Sequence, residues 1–199
     1  MMKIYDISQE VLGCRVYPGD PAPKIQRLAS IESGDLYNLT AFSMCAHNGT
    51  HIDAPRHFLA EGKTVDAMAL SHFVGQAYVA DCRGALTAAD ATEILKKAAE
   101  ISRDAARRIL IKGDAVVSAD AARAFAEAKI LLLGVEPQTV GPEAAPMDVH
   151  KILLASEVAL LEGIILADVT EGVYFLNSAP LNIAGADGSP CRAILIDGI

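Results

Sequence analysis

Short apolar runs alternate with alanine-rich, charge-bearing stretches along the whole chain. Ile130 to Val135 carries five apolar residues around one glycine, the pattern of a strand covered on both faces. Arg108 to Ile111 reads as a second short buried strand, with further strands over Gln76 to Asp81 and Leu160 to Ala167. Residues 3–8 open the chain as a strand, a turn-rich stretch follows through Pro18, Gly19, Pro21 and Pro23, and Leu36 to Cys45 is extended. Thr87 before Ala-Ala-Asp has the form of a helix N-terminus, so a helix is predicted over Ala88 to Glu100. Ser118 is placed to cap a second helix, Ala119 to Ala128, and a third is expected from about Met147 to Ala159. Residues 173–183 and 190–196 read as a closing pair of strands joined by a turn at Ala186-Asp187-Gly188. This alternation predicts an α/β fold with a mixed sheet. No linker, repeat or low-complexity tract divides the chain, so residues 1–199 are expected to form a single domain.

Composition narrows what such a domain can do. The 199 residues are 52% hydrophobic and 21% charged, which supplies one large core and excludes intrinsic disorder. A net charge of −8 argues against binding a nucleic-acid backbone. The most apolar stretches are too short for a membrane span, or are broken by Glu157, Glu162 and Asp168. The start MMKIYDISQE lacks the basic lead and apolar centre of a signal peptide. Cys14, Cys45, Cys82 and Cys191 are scattered and form no CxxC, as expected of reduced core thiols in a cytoplasmic protein.

The chemistry is concentrated in one place. The five histidines are His47, His51, His57, His72 and His150, and three of them fall in AHNGTHIDAPRHF together with Asp53. On a helix, His47 and His51 would form an i,i+4 pair like that of the HExxH zinc proteases. Asn48 stands where the glutamate base belongs, however, and Asn48-Gly49 and Pro55 are poor helix residues. In an extended segment, positions 47, 51, 53 and 57 share one face. Left unpaired, such inward groups would each cost ~1–3 kcal/mol. A divalent metal removes that cost by accepting their lone pairs. Gly49 suits a close approach of backbone to an ion or ligand. Thr50 points the other way, and its hydroxyl is expected to bond to backbone.

His47 to Phe58 resembles the HxGTHxDxPxHF signature of the cyclase family, which includes bacterial kynurenine formamidase and isatin hydrolase. The resemblance extends through Tyr5-Asp6-Ile7-Ser8, Pro18-Gly19-Asp20, His150-Lys151-Ile152-Leu153-Leu154, Leu161-Glu162-Gly163, Gly188-Ser189-Pro190 and Arg192-Ala193-Ile194. It implies a swivelling β/β/α-type fold and a hydrolase that cleaves an amide bond with a metal-activated hydroxide. It also implies two divalent ions per chain, zinc first and manganese as the alternative. His47, His51 and Asp53 would hold one ion, and Asp53 and Glu162 would bridge to a second that His150 also binds. His57 would be the catalytic proton carrier. Glu162 supports this independently, because it interrupts the apolar run Val158 to Leu166, where an inward carboxylate needs a cation. His72 lies outside the signature and is expected to be structural.

Tyr17 occupies the position where kynurenine formamidases carry a pocket tryptophan, and the chain has no tryptophan. Tyrosine can still stack on an aromatic substrate. Pro137-Gln138-Thr139 and Lys112-Gly113-Asp114 also depart from the family pattern, and both are expected near the pocket. The leading expectation is an arylformamidase that takes N-formylkynurenine to kynurenine and formate. The alternatives are a hydrolase opening a small cyclic amide or lactone, as isatin hydrolase does, and a metal- or ligand-binding protein without turnover. The partner is a small-molecule substrate, with no nucleic acid and no membrane. The resemblance further implies a homo-oligomer, dimer or tetramer, in which residues near Tyr17 could complete a neighbouring pocket.

Overall fold

The computed structural model describes residues 1–198. In chain order the elements are β1 (Lys3–Asp6), β2 (Lys24–Ala29), β3 (Leu39–Ser43), β4 (His51–Asp53), β5 (Val74–Asp81), β6 (Ala85–Leu86), α1 (Ala88–Ile101), β7 (Arg108–Lys112), β8 (Val116–Val117), α2 (Ala119–Glu127), β9 (Leu132–Val135), α3 (Met147–Ala155), β10 (Ala159–Glu162), β11 (Gly172–Asn177), β12 (Gly188–Pro190) and β13 (Ile194–Asp197). Nine strands form one mixed sheet in the order β1-β13-β11-β5-β7-β9-β10-β4-β12. Its centre, β5-β7-β9-β10, is parallel, and antiparallel strands extend it on both sides.

The central strands are buried on both faces, as their continuous apolar runs require. Ile109, Ile111, Leu133 and Leu160 face one apolar cluster, where Ala91, Ala98, Phe125, Leu153 and Leu154 of the helices pack on the sheet. Leu110, Leu132 and Leu161 face the opposite cluster, which also takes Ile52, Leu176 and Leu195. Strands from both flanks of the sheet therefore enclose a shared second core. The α/β class and the three helices match the expectation from the sequence. Thr87 and Asp90 form a reciprocal capping box at the start of α1, and the Ser118 hydroxyl accepts the Ala121 N–H at 3.1 Å.

Several expectations are corrected. The third helix ends at Ala155 because Glu157 turns at φ 59°, and Ala159 already belongs to β10. The extended segment over 47–57 is a strand only at His51–Asp53. Gly49 turns the chain at φ 62° before it, and Pro55 opens a single 3-10 turn through His57 after it. Gly49 also packs closely against Cys14, since an added Cβ would lie 2.8 Å from the Cys14 Cβ. The closing segments do pair antiparallel, as expected, but not through a simple turn at Ala186-Asp187-Gly188, because β12 lies between them in the chain. β13 joins β11, whereas β12 crosses to pair with β4 at the far edge. The strand β2 has no sequence signal: it forms a hairpin with β3 and leaves Ile25, Leu28 and Phe42 exposed, so no buried face marks it. The four cysteines are free thiols, as expected, and partly buried; Cys82 and Cys191 pack against the two cores.

Candidate active site

The alternation of β4 builds the floor of the site. Ile52 points into the second core, which sends His51 and Asp53 to the helix-covered face. Glu162, at the end of the adjacent strand β10, is the antiparallel partner of His51. α3 brings His150 over the same spot. All four side chains are buried, with 1–2% of their surface exposed. His47 arrives from the turn before β4, and its Nδ1 lies 2.7 Å from Asp53 Oδ1.

Hydrogen bonds orient the two buried imidazoles. His51 Nδ1 lies 2.9 Å from the Gly49 carbonyl, and His150 Nδ1 lies 2.9 Å from the Pro146 carbonyl. A carbonyl only accepts, so each Nδ1 donates and each Nε2 is left facing carboxylates. His51 Nε2 is 3.3 Å from Asp53 Oδ1 and 3.5 Å from Glu162 Oε2. His150 Nε2 is 3.2 Å from Glu162 Oε1 and 3.5 Å from Asp53 Oδ2. These separations exceed the ~2.7–2.9 Å of a charge-assisted hydrogen bond. Asp53 Oδ2 is buried without any hydrogen-bond partner. An orphaned carboxylate oxygen among bare imidazole nitrogens is the donor set a divalent cation takes, and the residues fit one.

Without a cation, protons must do that work. Burial alone would depress the His51 pKa, but the Asp53 and Glu162 carboxylates that face its Nε2 outweigh burial and lift it to about 10. Burial likewise opposes the charged form of His150, and Glu162 still raises its pKa. Asp53 is held well below the usual carboxylate range, because His47 and His51 overcome its burial. The ligand atoms of His51, Asp53 and Glu162 lie within 4.8 Å of one another, as do those of His47, Asp53 and His57. Asp53 belongs to both groups.

The site opens into a cavity of about 300 Å³ lined by Tyr17, Phe58, Gln138, Thr139 and Pro146 together with these histidines and carboxylates. Tyr17 therefore sits at the cavity, as the sequence suggests. Lys112-Gly113-Asp114 does not line it. His57 stacks on His47 with ring centroids 4.0 Å apart. His72 is remote, its Nδ1 bonded to the Ala69 carbonyl at 3.0 Å. Thr50 fulfils its expected part: its hydroxyl donates to the Gly163 carbonyl at 2.7 Å and accepts the Gln9 N–H at 2.9 Å.

Gln138 and Thr139 line the cavity, as expected of Pro137-Gln138-Thr139, whereas Asp187 is a part of the site that the sequence does not single out. Gln138 Nε2 donates to the Gly49 and His47 carbonyls, at 2.8 and 3.1 Å, and so braces the turn that carries His47. Asp187 reaches the rim on the loop into β12, where its Oδ2 meets both His47 and His57. Burial alone would raise the Asp187 pKa, but these two histidines lower it, so it is ionised. The only signal for Asp187 was its place beside Gly188-Ser189-Pro190 in the resemblance.

A family model described as "Putative cyclase" matches residues 5–142. The chain belongs to this family. It is 32% identical to a kynurenine formamidase of Erythrobacter litoralis (strain HTCC2594), over 97% of this chain and 93% of that protein. It is also similar to a solved potential metal-dependent hydrolase with cyclase activity, with 30% identity, full coverage of both chains and TM-score 0.79. An isatin hydrolase bound to thioisatinate shares the fold at TM-score 0.85 and 18% identity, covering 100% of this chain and 93% of that one. This cyclase-family chain is a hydrolase. Among the described residues, no helix is long and apolar enough to cross a membrane.

Proposed function

We propose that this hydrolase is an arylformamidase that converts N-formylkynurenine to kynurenine and formate. The observation that carries the reading is the buried meeting of the Asp53 carboxylate with the His51 and His150 Nε2 atoms, at 1–2% exposure, beneath a cavity edged by Tyr17 and Phe58. Similarity to a kynurenine formamidase supports the choice of substrate.

In this reading two divalent ions, zinc or manganese, are held per chain. His47, His51 and Asp53 hold one; Asp53, Glu162 and His150 hold the other. When bound, they supply Lewis-acid polarisation of the formyl carbonyl and a water acidic enough to act as nucleophile near neutral pH. Tyr17 and Phe58 flank the aromatic ring of the substrate. His57 carries the proton: its Nδ1 faces Asp187 at 3.2 Å, so Nε2 is the nitrogen that takes a proton from the attacking water and passes it to the leaving amine. Hydrolysis then adds water across the C–N bond, with the amine leaving as kynurenine and the acyl part as formate. The protein acts as a homodimer in the cytoplasm. The exposed Ile25, Leu28 and Phe42 of the β2–β3 hairpin support association.

The test is turnover of the zinc- or manganese-loaded protein on N-formylkynurenine, isatin and simple lactones. Hydrolysis of N-formylkynurenine that chelation abolishes and metal restores is expected. Preference for isatin or a lactone would move the assignment to cyclic substrates. Full activity of a metal-free preparation would remove the metal reading.

A further inference from the structure

Asp187 touches both histidines that stand between the buried floor and the open cavity. Its side chain is half exposed, but its backbone is locked: the Ala54 N–H donates to the Asp187 carbonyl at 2.9 Å, and Gly188 pairs with Asp53 in the β12–β4 ladder. A Cβ on Gly188 would lie 2.5 Å from His47 Cε1 and 2.7 Å from the Ile52 carbonyl. Only glycine lets this strand come so close, and the approach places the carboxylate of its neighbour over the two rings.

The geometry at that carboxylate is specific. Asp187 Oδ2 is 2.9 Å from His47 Nε2 and 3.2 Å from His57 Nδ1. The two rings are stacked with an interplanar angle of 29°. An ionised carboxylate only accepts, so both nitrogens must carry their hydrogens toward it. For His57 this sets the tautomer: Nδ1 is protonated and Nε2 bears the lone pair. For His47 it leaves Nδ1 to face Asp53, which is the orientation a ligand imidazole takes when its other nitrogen is held by a carboxylate.

We infer that Asp187 is a positioning residue that orients both histidines, fixing Nε2 of His57 as its proton-transferring nitrogen and Nδ1 of His47 as its ligand atom. This rests on the roles proposed above for His57 and His47. The simpler role of an Asp-Gly turn residue is separable, because Asp187→Asn keeps the turn chemistry and the size while removing the charge. Loss of an orienting partner of this kind typically costs ~10–100-fold in metal affinity or activity.

The experiment measures two things on wild type and Asp187→Asn. The first is steady-state kinetics of the zinc-loaded protein on N-formylkynurenine. The second is the tautomer of the 15N-labelled histidines by NMR, on the zinc-loaded protein and again after chelation, at a pH where the His57 ring is neutral. In wild type His57 should be in the Nδ1–H form. In Asp187→Asn it should shift toward Nε2–H, with kcat down ~10–100-fold, KM little changed and an unaltered melting temperature. An unchanged tautomer with unchanged kcat would leave Asp187 as a turn residue and overturn the inference. So would an Nε2–H tautomer of His57 in the wild type. If wild type does not hydrolyse N-formylkynurenine, the substrate reading fails, and the tautomer still decides the positioning role.

Discussion

His51 and His57 lie six residues apart, and their surroundings suit the different work proposed for each. His51 is buried, with Nδ1 tied to the Gly49 carbonyl and Nε2 turned to two carboxylates. His57 keeps 28% of its side-chain surface exposed at the cavity. Replacing a ligand should lower metal content, whereas replacing a proton carrier should leave the ions in place and slow the chemistry. His57→Ala should therefore retain its metal and lose ~10²–10⁴-fold in turnover, the usual contribution of general acid–base catalysis. His51→Ala should lose metal and activity together and recover in part at high added metal. Metal analysis beside kinetics reads both, and an ion lost from His57→Ala but kept in His51→Ala would reverse the assignment.

At the scale of elements, the site depends on how the end of β10 is fastened to the turn before β4. Thr50 carries much of that join. Its hydroxyl serves the Gln9 N–H and the Gly163 carbonyl, and Gln9 Nε2 donates to the same carbonyl at 2.7 Å. Thr50→Val preserves shape but leaves the Gln9 N–H without its acceptor, so unfolding stability should fall by ~1–3 kcal/mol. Because Gly163 follows Glu162, metal affinity should weaken as well. Denaturant unfolding and a metal titration measure the two effects; a variant with wild-type stability would show that the join is not held by the hydroxyl.

For the molecule as a whole, metal binding, protonation and stability are linked. In the metal-free protein the His51 pKa is lifted to about 10, above the ~6.5 of an unfolded chain. A group raised on folding stabilises fully below the unfolded pKa, and that contribution is lost as pH climbs through the folded value. The metal-free protein should therefore become less stable between pH ~6.5 and about 10. A cation takes the place of the His51 proton, so metal affinity should rise across the same window and binding should release protons. Calorimetry in buffers of different ionisation enthalpy reports that release, and thermal melts against pH report the stability. Metal uptake without proton release would mean that His51 is not a ligand.

The sequence by itself determined the features that depend on neighbours along the chain. Helix starts were legible because Thr87 and Ser118 cap within three residues. The buried strands β7, β9 and β10 were legible because both faces are apolar, although β10 stops at Glu162 rather than running to Ala167, and the alternation of His51, Ile52 and Asp53 already separated the metal face from the core. Glu162 stood out because a carboxylate interrupts a buried run. Tertiary structure decided what depends on strand pairing. The pairing of β12 with β4, about 135 residues apart in the chain, brings Asp187 to His47 and His57, and no local pattern encodes a register between distant strands. The turns at Gly49 and Pro55 also replaced the simple period-two face expected over 47–57, so His47 and His57 reach the site by folding back around β4 rather than by extending along it. Local periodicity selects which side chains turn inward; the ladder of hydrogen bonds between remote segments selects which of them meet.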